Sequence, residues 1–212
     1  MKRFAFLLLV GGVLGMSSAA KAGFDPLGDT FGSGYKIDLI QYSLTEDDTN
    51  YYATIVTANA FASPLDLADP QRIGGLFEFD TDNNPDTGYS PHQNTIGHPL
   101  AERFGSDFMA AIFGITADDT VTLFDTRDFS SIQVKIAFDL ALHSVTLTIP
   151  KAAFGNPTTD IYGAVAIGAT SINDAMEHRE GVTPRSVPEP SSFGLIVLGL
   201  GGATFFCRRK KR

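Results

Sequence analysis

Ile132-Gln-Val-Lys-Ile-Ala-Phe138 and Val145-Thr-Leu-Thr-Ile149 are the stretches whose reading decides the fold. In both, an apolar side chain returns at every second position, with Gln133, Lys135 and Ala137 or Thr146 and Thr148 between, the period of a strand with one buried face. Asp139 to Ser144 is a turn-length link, so the two runs form a hairpin. Outward from this pair, further strand candidates are 36–44, 51–61, 75–80, 108–113, 120–124 and 161–170. About eight strands parted by turns rich in Gly, Asp, Asn and Pro predict an all-β class: a single β-sandwich of jelly-roll or immunoglobulin-like type. A single helical turn is expected at Lys151 to Phe154, stopped by Gly155, and a short helix or a loop at Ser171 to Gly181. The seventeen phenylalanines read as core filling, because no aromatic motif groups them.

The chemistry is concentrated in Gly74-Gly-Leu-Phe-Glu-Phe-Asp-Thr-Asp-Asn-Asn-Pro-Asp-Thr-Gly88. Phe77 and Phe79 alternate with Leu76 and Glu78 as in a half-buried strand, and then Asp80, Asp82, Asn84 and Asp86 supply an oxygen at every second position. Calcium takes about six to eight oxygens, and a loop of alternating carboxylates with its own carbonyls is one source of them. An EF-hand is excluded, because its sixth and twelfth positions need Gly and Glu where this loop has Pro85 and Pro91. Two readings of residues 80–88 stay open: a cation-binding loop, and an acidic hairpin turn preset by Pro85 with Gly88 at positive φ. Mutual repulsion of Asp80, Asp82 and Asp86 favours the first, since carboxylates held close call for a counter-charge.

Both ends of the chain read as delivery signals. Residues 1–22 have the parts of a secretory signal peptide: basic Lys2 and Arg3, an apolar helical run, and Ala20-Lys21-Ala22 as a small-x-small site that would leave Gly23 first. At the other end, Pro188-Glu189-Pro190 precedes an apolar run from Phe193 to Cys207 and a basic end, Arg208, Arg209, Lys210, Lys211 and Arg212. As a helix the run spans about 22 Å, short of a hydrocarbon core of roughly 30 Å, so it is a minimal transmembrane helix with cations holding its end in the cytoplasm. This tripartite tail, 187–212, resembles the PEP-CTERM sorting signal of Gram-negative bacteria. The resemblance implies export, transient anchoring in the inner membrane, processing by an exosortase near Pro188 to Pro190, and release to the cell surface or extracellular matrix, often beside exopolysaccharide.

Between the signals, 23–186 is one domain's length. Eight of the 16 basic residues leave with the leader and the tail, but only Glu189 of the 24 acids does, so the exported part carries −15 where the whole chain carries −8. That charge argues against nucleic acid and anionic membrane surfaces as partners. The one cysteine, Cys207, sits in the tail, so the domain has no disulfide.

Four fragments of the domain, in order, resemble calcium-associated β-sandwich domains of the family 9 carbohydrate-binding module and DOMON-like type. They are Asp25-Pro-Leu-Gly-Asp29, Phe79 to Gly88, Gly105-Ser-Asp-Phe108, and Leu147-Thr-Ile-Pro150 with Phe154-Gly155. The resemblance implies a structural calcium on Asp80 and Asp82, with Asp107 adding an oxygen from the next strand. Sugar binding does not come with it, because the chain has no tryptophan and offers only Tyr51, Tyr52 and Tyr89 as platform candidates.

The function expected from these readings is a non-catalytic exported surface or matrix protein with structural calcium as its cofactor and an exosortase as its processing partner. The alternative is a polysaccharide-binding module. A carboxylate-pair enzyme has no supporting motif, and no catalytic residue is assigned. His92 and His98 flank the loop as zinc candidates, and Met109 and His143 are the axial candidates a haem-binding relative would need.

Overall fold

A computed structural model describes residues 21–89, 105–155, 157, 159–169 and 171–182. The expected leader up to Ala20, His92, His98, the Pro188-Glu189-Pro190 motif, its helix and the basic end lie outside the described residues.

Among the described residues the protein is all-β, and its strands join in one antiparallel sheet of ten. In chain order they are β1 (Lys21–Phe24), β2 (Leu39–Glu46), β3 (Asn50–Thr57), β4 (Gly74–Asp80), β5 (Phe108–Ala111), β6 (Thr120–Asp125), β7 (Ser131–Asp139), β8 (Ser144–Pro150), β9 (Ile161–Gly168) and β10 (Asp174–Val182). The spatial order is β1-β2-β3-β8-β7-β6-β5-β4-β9-β10. The expected hairpin is present as β7 and β8, with Ile136 opposite Leu147 and Phe138 opposite Val145. The 3₁₀ turn at Lys151–Phe154 is present too, and Gly155 ends it at φ 68°, a conformation that suits a residue without Cβ.

Two expectations are corrected. The sandwich of two sheets and about eight strands is replaced by a single ten-stranded sheet curled until its edge strand β10 packs against β1 and β2. The curl follows from burial. The inward side chains of β2, β3, β4, β8 and β9 form one apolar cluster, which a flat sheet would leave wet on that face. Second, the segment 171–181 is neither helix nor loop, because it carries most of β10, whose backbone pairs with β9 from Asp174–Ile167 to His178–Gly163.

The two edges of the curled sheet are stitched by side chains near the start of β10. The Leu39 amide donates to Asp174 Oδ2 at 2.6 Å, the Ile37 amide to Asn173 Oδ1 at 3.3 Å, and Asn173 Nδ2 to the Tyr35 carbonyl at 3.1 Å. Backbone joins them where the Phe31 amide donates to the Asn173 carbonyl at 2.9 Å. β1 begins at Lys21, opposite Leu44, and runs to Phe24, opposite Gln41. Among the described residues, no helix is long and apolar enough to cross a membrane.

Candidate metal centre

β4 ends at Asp80, and the loop beyond it is built from side-chain oxygens that cap its own amides. Asp80 Oδ1 accepts from the amides of Asp82 (3.1 Å) and Asn83 (2.7 Å), and Asp82 Oδ1 from Asn84 (2.9 Å). Asn84 Oδ1 accepts from the Asp86 amide at 3.0 Å, and Thr87 Oγ1 donates to Asp82 at 3.0 Å. These are Asx turns in series, the feature that Asp and Asn bring to any tight loop. Asn83 takes φ 55° within them.

The loop docks onto the approach to β5. The Tyr89 amide donates to the Ser106 carbonyl at 2.6 Å and the Asp107 amide to the Phe79 carbonyl at 2.9 Å. The fit depends on two glycines: a Cβ on Gly88 would stand 2.1 Å from Ser106 O, and one on Gly105 2.2 Å from Asn84 O. The result brings carboxylate oxygens of Asp80, Asp82 and Asp107 within 4.8 Å of one another. Asp107 is fully buried and Asp80 nearly so, while Asp82 faces solvent.

Asp107 is the informative member. Its Oδ2 accepts from Thr81 twice, from the amide at 2.9 Å and from Oγ1 at 2.6 Å. Its Oδ1 is equally buried and has no hydrogen-bond partner among the described residues. A buried carboxylate oxygen left so is costly, on the order of 1–3 kcal/mol or more. Like charges add to this, roughly 3.5 kcal/mol for a pair at 4.8 Å and an effective dielectric near 20. Burial pushes the Asp80 carboxyl upward, the charges of Asp107 and Asp82 push the same way, and the amides of Asp82 and Asn83 pull it back. A hard divalent cation matches this donor set, with three carboxylates, no thiolate or imidazole in the group, and room on the Asp82 side for water.

Of the five residues expected to ligate, the fold therefore gathers Asp80, Asp82 and Asp107. It leaves Asp86 outside the group and uses the Asn84 side-chain oxygen to cap Asp86. Glu78 departs from its expected outward, half-exposed place: it is fully buried on the face opposite Phe77 and Phe79, where it accepts a hydrogen bond from Ser106 Oγ. Tyr51 is core and packs on Phe154 at 5.5 Å between ring centres. Tyr52 donates to Asp47 at 2.5 Å, and Tyr89 is half exposed beside the loop. Met109 lies on β5, and His143 is in the β7–β8 turn three strands away.

Two features were not read from the sequence. One is Arg127, which reaches Asp107 from the β6–β7 turn with Nη1 at 3.9 Å from Oδ2. Twenty residues of separation carry no signal for such a contact. The other is a second trio, Asp25, Asp29 and Asp174, also within 4.8 Å, at the seam between the sheet's edges.

In that second trio both Asp174 oxygens already accept amides, from Leu39 and from Ala175, while Asp25 Oδ2, like Asp107 Oδ1, is buried without a hydrogen-bond partner among the described residues. Burial and then the Asp174, Asp29 and Asp38 charges push Asp25 up to about 7. Burial, opposed by the two amides and helped by Asp29 and Asp38, pushes Asp174 up to about 6. Lys36 Nζ donates to the Thr30 carbonyl at 3.2 Å. The folded seam thus keeps protons that the unfolded chain has lost. Its contribution to stability is full below about pH 4 and disappears as the pH rises through 6 to 7. In chelator, the melting temperature should carry a downward slope between about pH 5 and 7.5 that Asp25→Asn flattens. An unchanged slope in that variant would remove this account of the seam.

Comparison with known protein families matches the PEP-CTERM protein-sorting motif over residues 186–211. A search of curated proteins found no match to the sequence. The matched segment begins one residue before the expected 187 and covers the Pro188-Glu189-Pro190 motif, the apolar run and four of the five terminal cations. The chain therefore carries an exosortase sorting signal, which implies processing by that enzyme and delivery to the cell surface.

Proposed function

We propose that the curled sheet is a non-catalytic module of the cell surface or extracellular matrix. It is held in the inner membrane by its tail until an exosortase acts near Pro188 to Pro190, and it is stiffened by calcium bound at Asp80, Asp82 and Asp107. The observation that carries the calcium reading is the buried Asp107 Oδ1, an acceptor without a hydrogen-bond partner among the described residues, on a carboxylate that comes within 4.8 Å of those of Asp80 and Asp82. The fragments that resemble calcium-associated modules, Phe79 to Gly88 and Gly105 to Phe108, are the same ones that meet here, which supports the same ion. No observation favours the polysaccharide reading over this one. Of its three candidate tyrosines, Tyr51 is core and Tyr52 is tied to Asp47, which leaves Tyr89.

Sites of extracellular modules bind calcium at about 0.1–1 mM, so 10 mM calcium should stabilise the purified protein by about 1.4–2.7 kcal/mol. For a domain of this size that is a rise in melting temperature of roughly 3–10 °C. Asp80→Ala and Asp82→Ala should abolish the rise while the β spectrum stays intact. A melting temperature indifferent to calcium, or a rise that survives both substitutions, would sink the proposal.

A further inference from the structure

We propose that Arg127 is a built-in competitor for the cation at Asp80, Asp82 and Asp107, and that it sets the affinity of that centre. This rests on the calcium reading above and adds a regulator to it. The guanidinium is fixed beside the centre by three separate contacts. Its Nε and Nη2 grip the Asp125 carboxylate at 3.0 and 2.7 Å, and its Nη1 stands 3.9 Å from Asp107 Oδ2. Its carbon lies 4.7 Å from the centre of the Phe108 ring. The turn that carries it is tied to the backbone of the ligand residue: the Thr126 amide donates to the Asp107 carbonyl at 2.8 Å, and Thr126 Oγ1 to the Ser106 carbonyl at 2.6 Å. The turn backbone is thereby anchored beside the centre, and the side chain is held there by Asp125 and the Phe108 ring.

Its position is informative. Nη1 stands by Oδ2, the oxygen that already accepts from Thr81, while the buried Oδ1 has no hydrogen-bond partner among the described residues. Without an ion, the guanidinium offsets part of the charge of three carboxylates and lets the loop fold. With a divalent ion bound, the same charge stands a few ångströms from a like charge. Arginine cannot relieve this by losing its proton. Three clustered carboxylates alone would favour tight binding, and the fixed cation lowers it towards the concentrations of calcium found outside a cell.

The test is calorimetric titration of purified full-length protein with calcium chloride, for the native chain, for two neutral variants, Arg127→Gln and Arg127→Met, and for Arg127→Lys. Methionine keeps an apolar stem against Phe108, so at least one neutral variant retains the packing. The neutral variants should bind calcium about tenfold more tightly and melt lower in chelator, whereas Arg127→Lys, which keeps the charge but loses the two-pronged grip on Asp125, should fall between them and the native chain. Neutral variants that fold and bind no more tightly than the native chain would overturn the competitor role. A native chain that takes up no calcium at 10 mM would instead overturn the calcium reading itself.

Discussion

Phe154→Ala is expected to lower the stability of the domain by about 3–5 kcal/mol. Phe154 is buried at the point where β3, β4 and β5 meet the Lys151–Phe154 turn. Its ring lies 5.5 Å from Tyr51, 5.3 Å from Phe79 and 4.8 Å from Phe108, centre to centre. Alanine would remove all three aromatic contacts. The cavity would be walled by paired strands, which cannot collapse into it without breaking ladder hydrogen bonds. The expected observation is a lower urea midpoint with an unchanged m-value, and a loss under about 1 kcal/mol would show that the ring does not anchor this corner. Phe79 and Phe108 are also paired across β4 and β5, next to Asp80 and Asp107. The same substitution should therefore blunt the calcium response, because the strands that aim the two carboxylates lose their common support.

Lys151→Met should cost about 3–5 kcal/mol. Its ammonium lies 2.6 Å from Glu46, whose side chain is only 1% exposed, and 5.2 Å from the Tyr51 ring centre. Removing the cation leaves a buried carboxylate without its ion-pair partner, and that charge, more than the lost contact, accounts for the penalty. Replacing both partners separates the two effects: Glu46→Gln with Lys151→Met should regain more than half of the loss in equilibrium unfolding. A double variant as unstable as the single one would show that packing of the lysine stem, and not the stranded charge, is responsible.

Much of the β architecture was legible because it rests on local alternation. Val134, Ile136, Val145, Leu147 and Ile149 are buried where a period of two places them, and Gly155 stops the turn after β8 as its position suggests. β10 was not legible. Glu177-His-Arg-Glu180 has no alternating apolar face, and it is a strand because the open edge of β9 offers amides and carbonyls to a neighbour. The single curled sheet was hidden for a related reason. Whether inward faces close on themselves or oppose a second sheet depends on how distant edges meet, and here Asn173 and Asp174 join an edge more than 130 positions away in the chain. Glu78 misled in the opposite way, since strand alternation places it outward but Ser106 and the neighbouring chain bury that face as well.

The sequence by itself determined the strand-forming character of the domain, its strong negative charge and the sorting tail, all of which depend on residue order over short spans. It also marked Asp80, Asp82, Asn84 and Asp86 as oxygen donors, to which the family resemblance added Asp107. Only the tertiary structure decided that Asp80 and Asp82 meet Asp107, that Asp86 stays apart, and that Arg127 stands guard over the group. Those facts depend on which loops dock where strands end, and docking is governed by shape and burial across the whole sheet rather than by any neighbour in the chain.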